Sequence, residues 1–187
     1  MPPRQPKQKE SKMKVEQTKS KTAATGMNLR IKTKNMKKHQ DFSVTLLIDK
    51  SPKEVFDAIN NVRGWWSGEI EGDTDKLGAE FTYRYGDQHY SKQGIAELVP
   101  SKRIVWHVKE AEINFVKDKQ EWKGTDIVFE IAEKDGKTEV TFTHVGLVPA
   151  IECYGSCSDA WGMLLRGNLR KLIATGKDQP DLFAKKN

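Results

Sequence analysis

The sequence predicts an α+β fold in which a curved antiparallel sheet wraps around one long C-terminal helix, with two short helices after the first strand. Three observations lead to this prediction. A strand-like segment at residues 42–48 runs directly into a helix start signal. Segments of alternating or β-branched residues, separated by turn residues, follow between residues 81 and 145. The last long segment has apolar residues at helical spacing, and an antiparallel sheet with helices on one face is typical of the α+β class.

The first strand and the first helix have clear local signals. Residues 42–48 (FSVTLLI) are apolar and partly β-branched, which is typical of a strand. Ser51 is a suitable N-cap, Pro52 fits the first helical position, and Glu54 completes a capping box. The segment RGWWSG at 63–68 then breaks the helix, and we expect a second short helix or a turn there.

A β-hairpin is predicted next. Phe81, Tyr83 and Tyr85 occupy alternate positions, so their side chains share one face of a strand. A Gly-Asp pair follows Tyr85 and indicates a hairpin turn, with residues 89–99 as the partner strand.

Three more strands complete the predicted sheet. Ile104, Trp106 and Val108 alternate in the first of them. Residues 125–132 and 138–145 form the other two, and the Asp-Gly pair between them is a strong hairpin signal.

The final helix is predicted from an apolar stripe that follows the 3.6-residue period. The stripe consists of Trp161, Leu164, Leu165, Leu169, Leu172 and Ile173. Gly176 follows as the expected C-terminal capping glycine.

Charge is unevenly distributed along the 187 residues, whose net charge is +6. Residues 1–40 hold 12 of the 32 Lys and Arg residues but two of the 26 acidic residues, so the remainder is net negative, at −4. We predict a disordered basic tail at 1–40, a folded domain at 41–178 and a flexible C-terminus at 179–187. The acidic domain does not favour nucleic-acid binding, except weakly through the basic tail.

The sequence also indicates the cellular compartment of the protein. No run approaches the roughly 18 apolar residues of a membrane-spanning helix, and no apolar signal segment follows the charged N-terminus. Two cysteines cannot build a disulfide scaffold. We therefore expect a cytoplasmic protein without a membrane span.

Five segments, in order, carry a family resemblance. They are SPKEVFDAI at 51–59, Trp65-Trp66, GIAELVP at 94–100 running into RIVW at 103–106, TFTHVGL at 141–147, and the helix that begins near Trp161-Gly162. Together they resemble the helix-grip, START-like superfamily, also called SRPBCC. Within it the chain is most similar to domains named after the C-terminal half of the activator of the heat-shock-protein-90 ATPase.

The resemblance covers residues 41–176 and implies a cavity without naming its occupant. Known relatives bind lipids, sterols, polyketides or plant hormones, cyclise polyketides, or assist the chaperone. The fold therefore leaves several functions open.

The candidate residues of such a cavity are mostly aromatic and are expected to face inward. They are Trp65, Trp66, Phe81, Tyr83, Tyr85, Trp106, Phe129, Phe142, His144, Trp161 and Leu165. This set is either a filled core or a ligand wall in which tyrosine hydroxyls orient a polar group. In regular structure the adjacent Trp65 and Trp66 cannot both point inward, so we expect one at the cavity mouth and one against a loop. Trp122 lies in a polar hairpin and is expected at the rim.

Histidines and cysteines are the remaining candidates for chemistry. His144 shares strand parity with Phe142 and is either a polar anchor or general base in the cavity, or a histidine satisfied by a backbone carbonyl. His89 lies near a hairpin turn and is expected to face solvent. Cys153 and Cys157 are four residues apart, but C-x₃-C alone is not a structural zinc pattern, so packing as small apolar residues is favoured. We predict no cofactor, no metal site and no catalytic residue.

Three functions remain as hypotheses. The first is the binding of a small hydrophobic or amphipathic molecule between the sheet and the C-terminal helix. The second is a co-chaperone-like role, with a chaperone as partner, which the resemblance implies. The third is a cyclase-type or hydrolase-type enzyme that uses His144 or a cavity carboxylate. The sequence does not predict an oligomeric state.

Overall fold

The computed structural model describes residues 40–179, so the predictions for residues 1–39 and 180–187 lie outside the described residues. These described residues contain seven strands: β1 (Phe42–Ile48), β2 (Glu69–Gly72), β3 (Glu80–Tyr85), β4 (His89–Val99), β5 (Arg103–Ile113), β6 (Asp126–Lys134) and β7 (Lys137–Val145). They form one antiparallel sheet in the order β1-β7-β6-β5-β4-β3-β2. With a long C-terminal helix, this architecture confirms the α+β prediction and is consistent with a helix-grip fold.

Helix α1 spans Pro52–Asn60 and begins as the sequence predicts. The hydroxyl of Ser51 accepts a hydrogen bond from the backbone N–H of Glu54, and the Glu54 carboxylate accepts one from the N–H of Ser51. Proline at the first helical position has no N–H to leave unpaired. The capping box is therefore confirmed.

The prediction of a second short helix after β1 is wrong. Asn61 leaves the helical region at φ −76° and ψ 63°, and the chain then closes only one 3-10 turn at Val62–Gly64. Trp65 follows at φ −143°, which ends the turn. The short strand β2, which lacks an alternating apolar pattern, comes next and pairs with β3 at the sheet edge.

The hairpin between β6 and β7 confirms the Asp-Gly turn signal. Asp135 and Gly136 both have positive φ, 51° and 72°, and Lys134 pairs with Lys137 across them. Two consecutive residues of positive φ match the twist of a two-residue hairpin.

The C-terminal helix is continuous but not uniform. It consists of α2 (Tyr154–Met163), a π-helical segment (Leu164–Leu169) and α3 (Arg170–Thr175). Gly176, at φ 68°, ends it in the left-handed conformation, which confirms the predicted cap. The apolar stripe predicted a uniform helix and did not predict the π-helical segment.

The core lies between this helix and one face of the sheet. Phe129 on β6 pairs directly with Phe142 on β7, and Ile95 on β4 pairs with Trp106 on β5. All four side chains are almost completely buried. Within residues 40–179, no helix combines the length and the apolar character that crossing a membrane requires.

Candidate functional site

A partly open cavity of about 170 Å³ lies between the β3–β4 hairpin and α2. Its lining is made by Trp66, Tyr83, Tyr85, Gln88, His89, Phe115, Trp122, Ser156, Cys157, Ala160, Trp161 and Leu164. The exposed members, Gln88, Phe115 and Ser156, mark its mouth. The same three residues also line a shallower depression of about 370 Å³ that adjoins the mouth.

Stacked aromatic rings form much of the cavity wall. The rings of Trp66 and Tyr83 lie 4.6 Å apart with planes 24° from parallel. The rings of Trp122 and Trp161 lie 5.9 Å apart and within 8° of parallel. Trp66 also contacts Trp161, at 4.9 Å between ring centroids. Such contacts limit the freedom of each ring, so the wall has a defined shape.

The expectation that only one of Trp65 and Trp66 points inward is wrong. Both side chains are buried, with exposed fractions of 1% and 3%, and their rings are stacked 6.0 Å apart. Strand or helix parity does not apply here because the pair directly follows the 3-10 turn. Trp65 is fixed further by two hydrogen bonds: its Nε1 donates to the carbonyl of Ile59, and its own carbonyl accepts from Nδ2 of Asn168.

Trp122 is buried as well, which contradicts its predicted place at the rim. The cause lies in its neighbour Glu121, whose carboxylate accepts hydrogen bonds from the backbone N–H groups of Glu152 and Cys153. The carboxylate thereby caps the start of α2. This contact holds the polar loop against the helix, where Trp122 stacks on Trp161.

His144 is buried behind the cavity and has side-chain partners on both ring nitrogens. Its Nδ1 accepts a hydrogen bond from Nε1 of Trp161 at 3.1 Å. Its Nε2 therefore carries the proton and donates to Oγ1 of Thr125 at 2.9 Å, and that hydroxyl donates to the carbonyl of Trp122. Burial, with a smaller contribution from His89, lowers the pKa of His144 to about 3. The ring is neutral, and side chains occupy both of its nitrogens, so the alternative in which a backbone carbonyl satisfies His144 is wrong.

His89 does not face solvent as the sequence analysis expected. Its ring packs edge-on against Trp122, at 4.4 Å between ring centroids, and against Tyr83 at 5.2 Å. Nε2 is buried without a hydrogen-bond partner, and burial lowers the pKa of His89 to about 4. Strand alternation predicts the inward position, because His89 is two residues from Ser91, which is on the buried face of β4.

The two cysteines form no disulfide and are buried in the core, as the packing interpretation predicts. A hydrogen bond with Cys157, together with burial, raises the pKa of the Cys153 thiol above its usual value. A thiol held protonated in this way is a poor nucleophile and a poor metal ligand. Among residues 40–179, no group of three or more His, Cys, Asp or Glu residues is arranged to hold a metal ion.

The cavity brings together four of the predicted lining residues: Trp66, Tyr83, Tyr85 and Trp161. The others pack in the buried core next to it: Trp65, Phe81, Trp106, Phe129, Phe142, His144 and Leu165. The helix residues Ser156, Cys157, Ala160 and Leu164 also line the cavity and were not predicted to do so, although their spacing places them on one helical face.

Comparisons with known proteins match most of the folded domain. The family model described as "Activator of Hsp90 ATPase homolog 1-like protein" matches residues 49–174. The curated proteins contain no match.

Several solved structures share the fold at low sequence identity. The solution structure of the Aha1 dimer from Colwellia psychrerythraea is 21% identical, with a TM-score of 0.59, and the match covers 74% of this chain and 98% of that one. SSP2350 from Staphylococcus saprophyticus is 16% identical with a TM-score of 0.56, and the match covers 75% of this chain and 96% of SSP2350. CalU16 from Micromonospora echinospora is 17% identical with a TM-score of 0.52, and the match covers 72% of this chain and 76% of CalU16.

Proposed function

This chain belongs to the family of activator of Hsp90 ATPase homolog 1-like proteins, and we propose that it binds a small apolar or amphipathic molecule in the cavity between the β3–β4 hairpin and α2. The observation that carries the proposal is a preformed cavity walled by aromatic rings, with polar groups at few points. Membership of the family supports a fold that holds such a cavity but does not select an occupant.

The volume sets the size of the buried part of the ligand. A dry cavity of about 150 Å³ in another protein holds benzene. A cavity of about 170 Å³ therefore fits roughly one aromatic ring or a short branched hydrocarbon group. A longer molecule would leave its remaining part in the depression beside the mouth, next to Asp87 and Asn114. An amphipathic ligand suits this combination of an apolar cavity and an adjoining depression lined partly by polar side chains.

The buried titratable groups do not favour the enzyme alternative. A general base works best with a pKa near the operating pH, whereas burial lowers the pKa values of His89 and His144 to about 4 and 3. Both nitrogens of His144 are already hydrogen-bonded within the protein. The Cys153 thiol is held protonated by its raised pKa. Simple binding requires none of these groups to change protonation.

A test compares two substitutions on the C-terminal helix. Ala160 lines the cavity, whereas Ala174 is exposed on α3. Ala160→Phe should fill the cavity and abolish binding of a neutral, environment-sensitive dye, which the wild type is expected to bind at micromolar Kd, about −8 kcal/mol. Ala174→Phe should bind the dye as the wild type does. Native mass spectrometry of the full chain purified from its source would identify a retained ligand.

Absence of saturable dye binding in the folded wild type, or equal binding by both variants, would overturn the proposal. The co-chaperone alternative has a separate test, since the family description refers to an activator of the Hsp90 ATPase. Retention of an Hsp90 chaperone by the immobilised full chain, undiminished by Ala160→Phe, would favour a partner on the outer surface.

A further inference from the structure

Strand β4 contributes a row of polar side chains to the largely apolar inner face of the sheet. His89, Ser91 and Gln93 occupy alternate positions, and Ser91 and Gln93 are completely buried. Nε2 of Gln93 donates a hydrogen bond to Oγ of Ser91 at 2.6 Å. The neighbouring strand β5 places Trp106 and Val108 on this face, both apolar and fully buried. This strip of β4 therefore places hydrogen-bonding side chains next to the largely apolar Trp106 and Val108 of β5.

His89 is the residue of this polar strip that reaches the cavity. It lines the cavity, and its Nε2 is buried with no hydrogen-bond partner. A buried polar atom without a partner costs stability, and buried polar atoms in folded proteins are nearly always paired. A ligand atom that bonds to Nε2 would remove this cost and would be fixed in orientation by it.

The chemistry of the lining limits what that ligand atom is. No Asp, Glu, Lys or Arg is among the residues that line the cavity. The depressed pKa of His89 keeps its imidazole neutral at pH 7. A carboxylate or an ammonium group would lose its hydration in the cavity without gaining an ionic partner. A hydroxyl group both donates and accepts, so it satisfies Nε2 in either tautomer of a neutral imidazole.

From these observations we infer that the cavity selects an uncharged, ring-sized compound whose hydroxyl group points inward to Nε2 of His89. Phenols are the simplest members of this class. The inference rests on the proposed function and goes further, because it specifies the polar group of the ligand and the end that enters first. Purely hydrocarbon ligands and carboxylates of the same size are discriminated against.

The test uses three ring compounds with the full-length protein at neutral pH: phenol, toluene and benzoate. Phenol and toluene differ only by a hydroxyl in place of a methyl group. His89→Phe should lower the ratio of phenol affinity to toluene affinity about 3- to 10-fold, which corresponds to one net hydrogen bond. His107→Phe is the matched control, because that side chain is on the exposed face of the neighbouring strand and pairs with Asp126. Benzoate should bind far more weakly than phenol.

A second measurement needs no variant. Phenol, but not toluene, should shift the imidazole nitrogen resonances of His89 in the labelled wild type. Three results would overturn the inference. They are a ratio of phenol affinity to toluene affinity that His89→Phe leaves unchanged, His89 nitrogen resonances that do not shift when phenol is added, and benzoate binding as tight as phenol binding. In those cases the proposed function still stands, whereas failure of every ring compound and of the neutral dye to bind would remove both.

Discussion

Nε1 of Trp161 donates a hydrogen bond to Nδ1 of His144 at 3.1 Å, which joins the C-terminal helix to β7 inside the core. Trp161 is 1% exposed and His144 is completely buried, so water does not compete for this bond. The bond also fixes the tautomer of His144 and, through Thr125, ties the loop that carries Trp122 to the same point.

Removing the indole N–H of Trp161 should destabilise the protein by more than the loss of side-chain volume alone. Trp161→Phe leaves Nδ1 of His144 buried without a donor, at a cost of about 1–3 kcal/mol in the free energy of unfolding, in addition to the lost volume. Trp161→Ala should cost roughly 3–5 kcal/mol. Denaturant unfolding measures both. A double-mutant cycle with His144→Leu should show strong coupling, and additivity of the two changes would contradict the role of the bond.

Stability should decline on mild acidification. His89 and His144 have folded-state pKa values of about 4 and 3 against an ordinary value of 6.5. The unfolded chain therefore binds more protons between these limits, so the free energy of unfolding is highest above pH 6.5 and falls as the pH drops towards 3. At about 1.4 kcal/mol per pKa unit, the loss is on the order of several kcal/mol.

Urea unfolding at a series of pH values measures this decline. His89→Phe should remove part of the slope between pH 6.5 and 4. An unchanged slope in that variant would mean that other groups cause the acid sensitivity.

Asn168 should be essential to the position of the tryptophan pair. It is 1% exposed in the π-helical segment, and its Nδ2 donates to the carbonyl of Trp65 at 3.1 Å. Asn168→Ala leaves that carbonyl buried without this donor and should lower the free energy of unfolding by about 1–3 kcal/mol. Arg166→Ala, at an exposed position of the same segment, should change it by less than about 0.5 kcal/mol. Equal effects of the two changes on the free energy of unfolding would contradict the role of the hydrogen bond from Asn168 to Trp65.

Tyr83 should affect ligand binding more than stability, because its side chain borders the cavity. Tyr83→Ala should raise the Kd for the neutral dye at least about tenfold and destabilise by less than the roughly 3–5 kcal/mol of a fully packed aromatic residue. Tyr83→Phe tests the hydroxyl, whose hydrogen bond to a ligand would contribute about 0.5–1.5 kcal/mol. Phe129→Ala is the control, since Phe129 is completely buried and does not line the cavity. A larger effect of Phe129→Ala on dye affinity would contradict the prediction.

Residues 1–35 should be dispensable for the stability of the domain. Their sequence lacks apolar periodicity and is rich in Lys, Gln, Ser and Thr. A chain that begins at Met36 should keep its melting temperature within a few degrees of that of the full chain, as expected when the lost contacts contribute less than about 0.5 kcal/mol. Calorimetry on both chains decides this, and unfolding of the shorter chain at room temperature would refute it.

The sequence predicted those elements whose signals are local. The capping box at Ser51 and Glu54, the Asp135-Gly136 turn and the cap at Gly176 depend on a few neighbouring residues, and all three are confirmed. Strand β2 was missed because it is short and mostly exposed, and it is held by pairing with β3 and by the hydrogen bond that Arg63 donates to the carbonyl of Gly72.

The cavity was predicted less well because its geometry depends on contacts between distant segments. Trp122 is buried because Glu121 caps a helix about 30 residues later. Trp65 and Trp66 both turn inward because an irregular turn removes the parity rule, and Asn168, a hundred residues away, accommodates the first of them. His89 was assigned to solvent from its nearness to a turn, although the strand register places it inward.

All five tryptophans of the chain belong to one contacting cluster. Trp66 and Trp161 join Trp65, Trp106 and Trp122 through ring distances between 4.9 and 6.5 Å. At such separations we expect electronic excitation to pass between indoles before light is emitted, so that the cluster fluoresces as one unit. Because Trp66, Trp122 and Trp161 also line the cavity, we expect an occupant that touches one of them to alter the emission of the whole cluster. The protein thus carries an intrinsic optical reporter of whether its cavity is filled.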